Sequence, residues 1–208
     1  MKSLKTLVPA VLVSAAAAAP AFAAESVRYS DGAVPHFADG CPAAATFKLI
    51  PDPSAPKIEL YLPNFVAVAT AATYYVTRNC VVSVGLKAPE GYQIAPGTLT
   101  FEGKATVSSQ GDADITALYY LDGTESVKGY QSFSAGYNDL FTLVTTYGAA
   151  AATVCGGDAT FNFMADLTAA FAGGGGRSEV KVQRGFATVD VPVDTPVFKV
   201  GLKLIRCF

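Results

Sequence analysis

The sequence predicts an all-β protein: a single antiparallel β-sandwich of about eight to ten strands, stapled by two disulfides, with little or no helix after an N-terminal leader. Three observations carry this. Apolar and polar side chains alternate with a period of two in segment after segment, turn-forming residues separate those segments, and the cysteines Cys41, Cys80, Cys155 and Cys207 stand behind an export signal.

Residues 1–23 read as a signal peptide. Lys2 and Lys5 give a short positive start, Leu7 to Ala19 is an apolar run, and Ala21-Phe22-Ala23 supplies a small-x-small cleavage site. The alternative, an uncleaved anchor, is opposed by Pro9 and Pro20 and by the dominance of weakly apolar alanine. The predicted domain therefore spans residues 24–208. Its first clear strand is Ile58, Leu60 and Leu62 against Glu59 and Tyr61, after a Pro51-Asp52-Pro53 turn. Cys80, Val82, Val84 and Leu86 form the next, closed by Pro89-Glu90-Gly91. Leu99 to Ser108 alternates without a break, and Ile115, Ala117, Tyr119 and Leu121 follow a turn at Gln110-Gly111-Asp112. Asp122-Gly123 marks another turn. Phe161, Phe163 and Ala165 alternate with Asn162 and Met164, and Ala165 to Ala172 is the best helix candidate, or else the end of that strand. Gly173 to Gly176 reads as a mobile tip. Ala187, Val189 and Val191, then Phe198, Val200, Leu202 and Leu204, complete the series.

Half the chain is apolar and only 15% is charged, yet no stretch after the leader is long enough to span a membrane. Removing residues 1–23 takes away two lysines and no acid, so 15 basic residues become 13 against 17 acids, a net charge near −4. That field, with no basic run, excludes nucleic acid as a partner.

The cysteine neighbourhoods form an ordered set: Gly40-Cys41-Pro42 before a strand, Arg78-Asn79-Cys80 opening one, Cys155-Gly156 before another, and Arg206-Cys207 at the C-terminus. The set resembles the domain-of-unknown-function family 4360, small secreted proteins with a GCP motif and an NCQ motif. The resemblance runs over nearly the whole mature chain. Val81 stands where the family usually has glutamine, and Leu204 where a tryptophan often precedes the last cysteine, which marks a divergent member. The resemblance implies export, disulfides and the fold, and brings no catalytic residue. Four cysteines allow three pairings. Cys41 with Cys80 and Cys155 with Cys207 is preferred, because each bond closes a moderate loop within one half of the chain. A loop of that size stabilises by roughly 3 to 5 kcal/mol on chain-entropy grounds. Cys207 has the opposite parity from Phe198, Val200, Leu202 and Leu204, so a bulge or a strand ending near Leu204 is expected.

No catalytic constellation stands out, and no cofactor is expected. His36 is the only histidine, there is no G-x-S-x-G elbow, and the cysteines are consumed in disulfides. Gly173 to Ser178 departs from a phosphate loop, with Phe171 where glycine and Arg177 where lysine is needed. Asp112 and Asp114 are candidate calcium ligands, although Thr116 and Ala117 break the calcium-loop pattern. Tyr74-Tyr75 and Tyr119-Tyr120 each place one ring on either side of a strand. Tyr75 and Tyr120 are thus candidate carbohydrate contacts in a chain without tryptophan. Two function classes follow. The favoured one is a non-enzymatic secreted module, extracellular or periplasmic, that binds an extracellular polymer or protein. The other is a carboxylate-dependent hydrolase acting on polysaccharide, which needs only two suitably placed acids. A calcium-stabilised sandwich is a further alternative.

Overall fold

The computed structural model describes residues 26–148, 151–171, 177–181 and 198–208. The leader, the glycine run at 173–176 and the strand expected at 187–191 lie outside the described residues. The rest is all-β, with two antiparallel sheets packed face to face. One contains β1 (Arg28–Tyr29), β2 (His36–Phe37), β6 (Tyr75–Lys87), β8 (Gly111–Leu121), β9 (Val127–Phe133) and β11 (Asp158–Phe171). Its order is β1-β6-β11-β8-β9, with β2 beside β1 on the same edge of β6. The other contains β3 (Thr46–Ile50), β4 (Lys57–Tyr61), β5 (Val66–Thr70), β7 (Tyr92–Thr106), β10 (Asn138–Thr146), β12 (Arg177–Lys181) and β13 (Phe198–Arg206). There β7 is the hub. It pairs with β13 and then β12 along one edge and with β10 along the other.

The alternation seen in the sequence is the alternation of burial. On β11, Phe161, Phe163, Ala165, Leu167, Ala169 and Phe171 are buried, and the residues between them are partly exposed. The helix candidate at Ala165 to Ala172 is therefore strand as far as Phe171. Its alanines sit at the narrow approach of β11 to both neighbours, Ala165 facing Cys80 and Ala117. Aromatic rings knit the sheets together. Phe163 of one sheet meets Phe198 of the other at 4.9 Å between centroids, and Phe133 meets Phe141 at 4.7 Å. Such pairs add about 0.5–1.5 kcal/mol each beyond the area they bury.

Both disulfides pair as preferred, Cys41 with Cys80 and Cys155 with Cys207. The parity of Cys207 has a simple cause. β13 runs two residues past Leu204, and Cys207 follows it at the rim, bonded to an exposed Cys155 in the loop before β11. It has no need to face the core. A register shift does occur between Val200 and Leu202, where three residues of β7 span what two of β13 span. The irregularity leaves backbone groups of Gly97 and Gly201 inside the sandwich. Tyr119 reaches across from the opposite sheet to satisfy them: its hydroxyl accepts from the Gly97 N–H at 2.7 Å and donates to the Gly201 carbonyl at 3.3 Å.

Candidate functional site

The outward face of the six-stranded sheet is read row by row across β6, β11 and β8. Ser83, Asn162 and Tyr120 form one row, Val81, Met164 and Leu118 the next, then Asn79, Asp166 and Thr116, then Thr77, Thr168 and Asp114, and last Tyr75, Ala170 and Asp112. Apart from the one apolar row and Ala170, the face carries polar side chains and tyrosines.

At its Asn162 end the face opens into a shallow pocket of about 220 Å³, lined by Ser30, Gly85, Asp122, Asp158, Ala159 and Thr160. Four separate segments build it. The turn after β1 folds over Gly85, with the Ser30 N–H bonded to the Gly85 carbonyl at 3.1 Å. The Ser30 hydroxyl donates to Asp158 Oδ1 at 2.8 Å. Asp122, just past β8, accepts from the Thr160 N–H at 3.1 Å and from Asn162 Nδ2 at 3.4 Å. Both carboxylates are thus held in place while remaining solvent-exposed. Tyr120, 38% exposed, lies in the adjoining row beside Asn162. The arrangement offers fixed acceptors, an amide and hydroxyls beside a partly exposed tyrosine, which suits a neutral ligand rich in hydroxyl groups.

The structure treats the sequence candidates differently. Tyr119 is buried and Tyr120 exposed, as the strand requires, whereas Tyr74 and Tyr75 are both exposed because Tyr74 precedes β6. Tyr75 is 66% exposed but faces Ala170, eight residues of β11 from Asn162. That is roughly 26 Å along the strand, so Tyr75 and Tyr120 do not form one platform. Asp112 and Asp114 lie on the outward face of β8, and Asp114 accepts from the Tyr130 hydroxyl at 2.8 Å. This bond is the main cause holding the Tyr130 hydroxyl above the ordinary phenol range. Among the described residues no three His, Cys, Asp or Glu side chains gather around a metal position. His36 sits exposed on β2, opposite Ser83. Asp122 and Asn162 read in the sequence only as a turn residue and a strand residue, and Ser30 and Asp158 carry no local motif, so nothing there marks the four as site residues.

The family model for the domain of unknown function DUF4360 matches residues 33–207. The chain belongs to this family. No curated protein matches it. Among solved structures, TmCBM61 in complex with beta-1,4-galactotriose is 8% identical, the match covering 80% of this chain and 91% of that one, with a TM-score of 0.27. In this DUF4360 chain the first two cysteine motifs meet physically. Gly40 has a φ of +99°, and a Cβ there would stand 2.5 Å from the Asn79 carbonyl oxygen. Only glycine fits. Asn79 in turn donates from Nδ2 to Asp166 Oδ1 at 2.5 Å on the outward face. These DUF4360 residues brace the sheet that carries the pocket and stand outside the pocket lining.

Proposed function

We propose that the protein is a non-enzymatic extracellular binding module whose six-stranded sheet takes an extracellular polysaccharide at the pocket beside Tyr120. The supporting observation is the convergence of Asp122, Asp158, Ser30, Thr160 and Asn162 next to an exposed ring. A flat, polar, shallow site of this kind accommodates a chain passing over it and leaves both its ends in solvent. Tyr120 supplies the apolar face of the contact and the carboxylates accept from ligand hydroxyls. Tyr75, at the far end of the face, touches only a ligand long enough to span it. The test is a glycan array with the disulfide-bonded protein, repeated with Tyr120→Ala. Binding to a defined glycan class that Tyr120→Ala abolishes supports the proposal, and no glycan binding removes it.

A second reading has one observation in its favour: two carboxylates share the pocket, as a glycosidase requires. Against it, a glycosidase sets its general acid in apolar surroundings, and both acids here are exposed. Release of reducing ends from the bound glycan, lost in Asp122→Asn, identifies a hydrolase. Binding without release identifies a module.

A further inference from the structure

The outward row that borders the pocket continues past β6. His36 on β2 lies opposite Ser83, Ser83 opposite Asn162, and Asn162 opposite Tyr120, so β2, β6, β11 and β8 present these side chains in one line across the sheet. Three strand spacings separate its ends, about 14 Å. His36 points outward because its neighbour Phe37 packs against the core, and consecutive residues of a strand take opposite faces.

A two-residue strand needs help to hold a side chain in place, and β2 has it. The Ala38 N–H bonds to the Val81 carbonyl at 2.9 Å, Gly40 sits against the Asn79 carbonyl, and the Cys41–Cys80 disulfide ties the segment to β6. The glycine-cysteine motif thus fixes His36 beside the pocket. Ahead of β2, the turn from Ser30 to Ala33 is closed by the Ala33 N–H bonding to the Ser30 carbonyl at 2.9 Å. It rests on Gly85, where a Cβ would stand 3.2 Å from both the Ala33 and the Ser30 Cβ. The chain from Ser30 to His36 therefore runs from the pocket lining to the end of the row.

This row also differs in what its polar atoms do. Among the described residues no hydrogen bond engages the His36 ring, the Ser83 hydroxyl, the Asn162 Oδ1 or the Tyr120 hydroxyl. A ligand leaving the pocket along the strands first meets Val81, Met164 and Leu118, which offer it no hydrogen bond. Beyond them it meets Asn79 bonded to Asp166 and Tyr130 bonded to Asp114. Across the strands it meets an open donor or acceptor at every step.

We infer, resting on the polysaccharide site proposed at the pocket, that the glycan runs across the strands from Tyr120 over Asn162 and Ser83 to His36, and that His36 is a second binding residue at the far end. A neutral imidazole supplies one N–H donor and one ring-nitrogen acceptor, which matches the hydroxyls of a sugar. The ligand class is a linear, neutral glycan: the open groups form a line, and the carboxylates of Asp122 and Asp158 beside it accept from hydroxyls.

The test uses linear gluco-, xylo-, manno- and galacto-oligosaccharides, each as disaccharide and hexasaccharide, first arrayed and then titrated calorimetrically into the full disulfide-bonded protein. Wild type should bind one hexasaccharide more tightly than its disaccharide. His36→Ala should weaken that hexasaccharide about fivefold, as one lost hydrogen bond does, and leave the disaccharide unchanged, whereas Tyr120→Ala weakens both. Wild type supplies a second measurement that needs no variant. His36 is the only histidine in the chain, so its ring-proton NMR signals report on this end alone. They should move when the hexasaccharide is added and stay in place with the disaccharide. If Tyr120→Ala loses binding while His36→Ala keeps full affinity for the hexasaccharide, or while the ring signals do not move, the pocket stands as the site and His36 is no part of it. If none of the oligosaccharides binds, or Tyr120→Ala binds as tightly as wild type, the site and the role of His36 fall together.

Discussion

Gly40 and Tyr119 show how single residues hold this fold. A side chain at Gly40 meets both a left-handed backbone and the Asn79 carbonyl. Gly40→Ala should cost about 1–3 kcal/mol, read as a fall in the urea midpoint, and an unchanged midpoint would show that the turn relaxes freely. Tyr119 matters through its hydroxyl. Tyr119→Phe leaves the Gly97 N–H buried without an acceptor, at a cost of about 1–3 kcal/mol. Burial, as the leading cause, also pushes the Tyr119 hydroxyl well above the ordinary phenol value of 10. The sign follows from linkage: the raised folded value contributes stability that is complete below pH 10 and lost as pH rises from there through the folded value. Urea midpoints at pH 8 and above pH 10 should fall more steeply for wild type than for Tyr119→Phe. Equal slopes would assign the alkaline loss elsewhere. The alternation of Ile115, Ala117, Tyr119 and Leu121 made the burial of Tyr119 legible in the sequence. Its partners were not, because they arise from a register shift between two distant strands.

Strands with clean alternation were legible, and those without it were not. β10 carries apolar residues on both faces, Leu140 and Val144 outward, Phe141 and Leu143 inward, so no period of two appears. β9 places Gly129 inward, where Phe101 and Leu143 leave no room for a Cβ, and that glycine breaks its apolar pattern. β5 reads Val-Ala-Val-Ala, apolar on both faces, and the two-residue β1 and β2 offer too few residues for a pattern. In Ala165 to Phe171, alanine's helix preference concealed a strand, because small side chains are what close packing against β6 and β8 requires. The two disulfides separate elements of different rank. Their loops of 39 and 52 residues imply about 4 kcal/mol of chain-entropy stabilisation each. Cys80 is fully buried whereas Cys155 is exposed. Replacing Cys41 and Cys80 by alanine should therefore lower the unfolding midpoint more than replacing Cys155 and Cys207, and a reversed order would contradict this ranking.

At the scale of the whole molecule, the sequence made the class legible: two sheets, two staples and no helix to cross a membrane among the described residues. The site was hidden because Ser30, Gly85, Asp122 and Asp158 are far apart in sequence and only the sheet order β1-β6-β11-β8 brings them together. The same order parts Tyr75 from Tyr120, though the two are equivalent as sequence signals. This separation makes the central claim testable by calorimetric titration of wild type, Tyr120→Ala and Tyr75→Ala with a short oligosaccharide of whichever class the array selects. The account predicts about a tenfold loss of affinity for Tyr120→Ala, the ~1.4 kcal/mol expected when one ring leaves a contact, and no change for Tyr75→Ala. Equal affinity of wild type and Tyr120→Ala, or a loss confined to Tyr75→Ala, would contradict it.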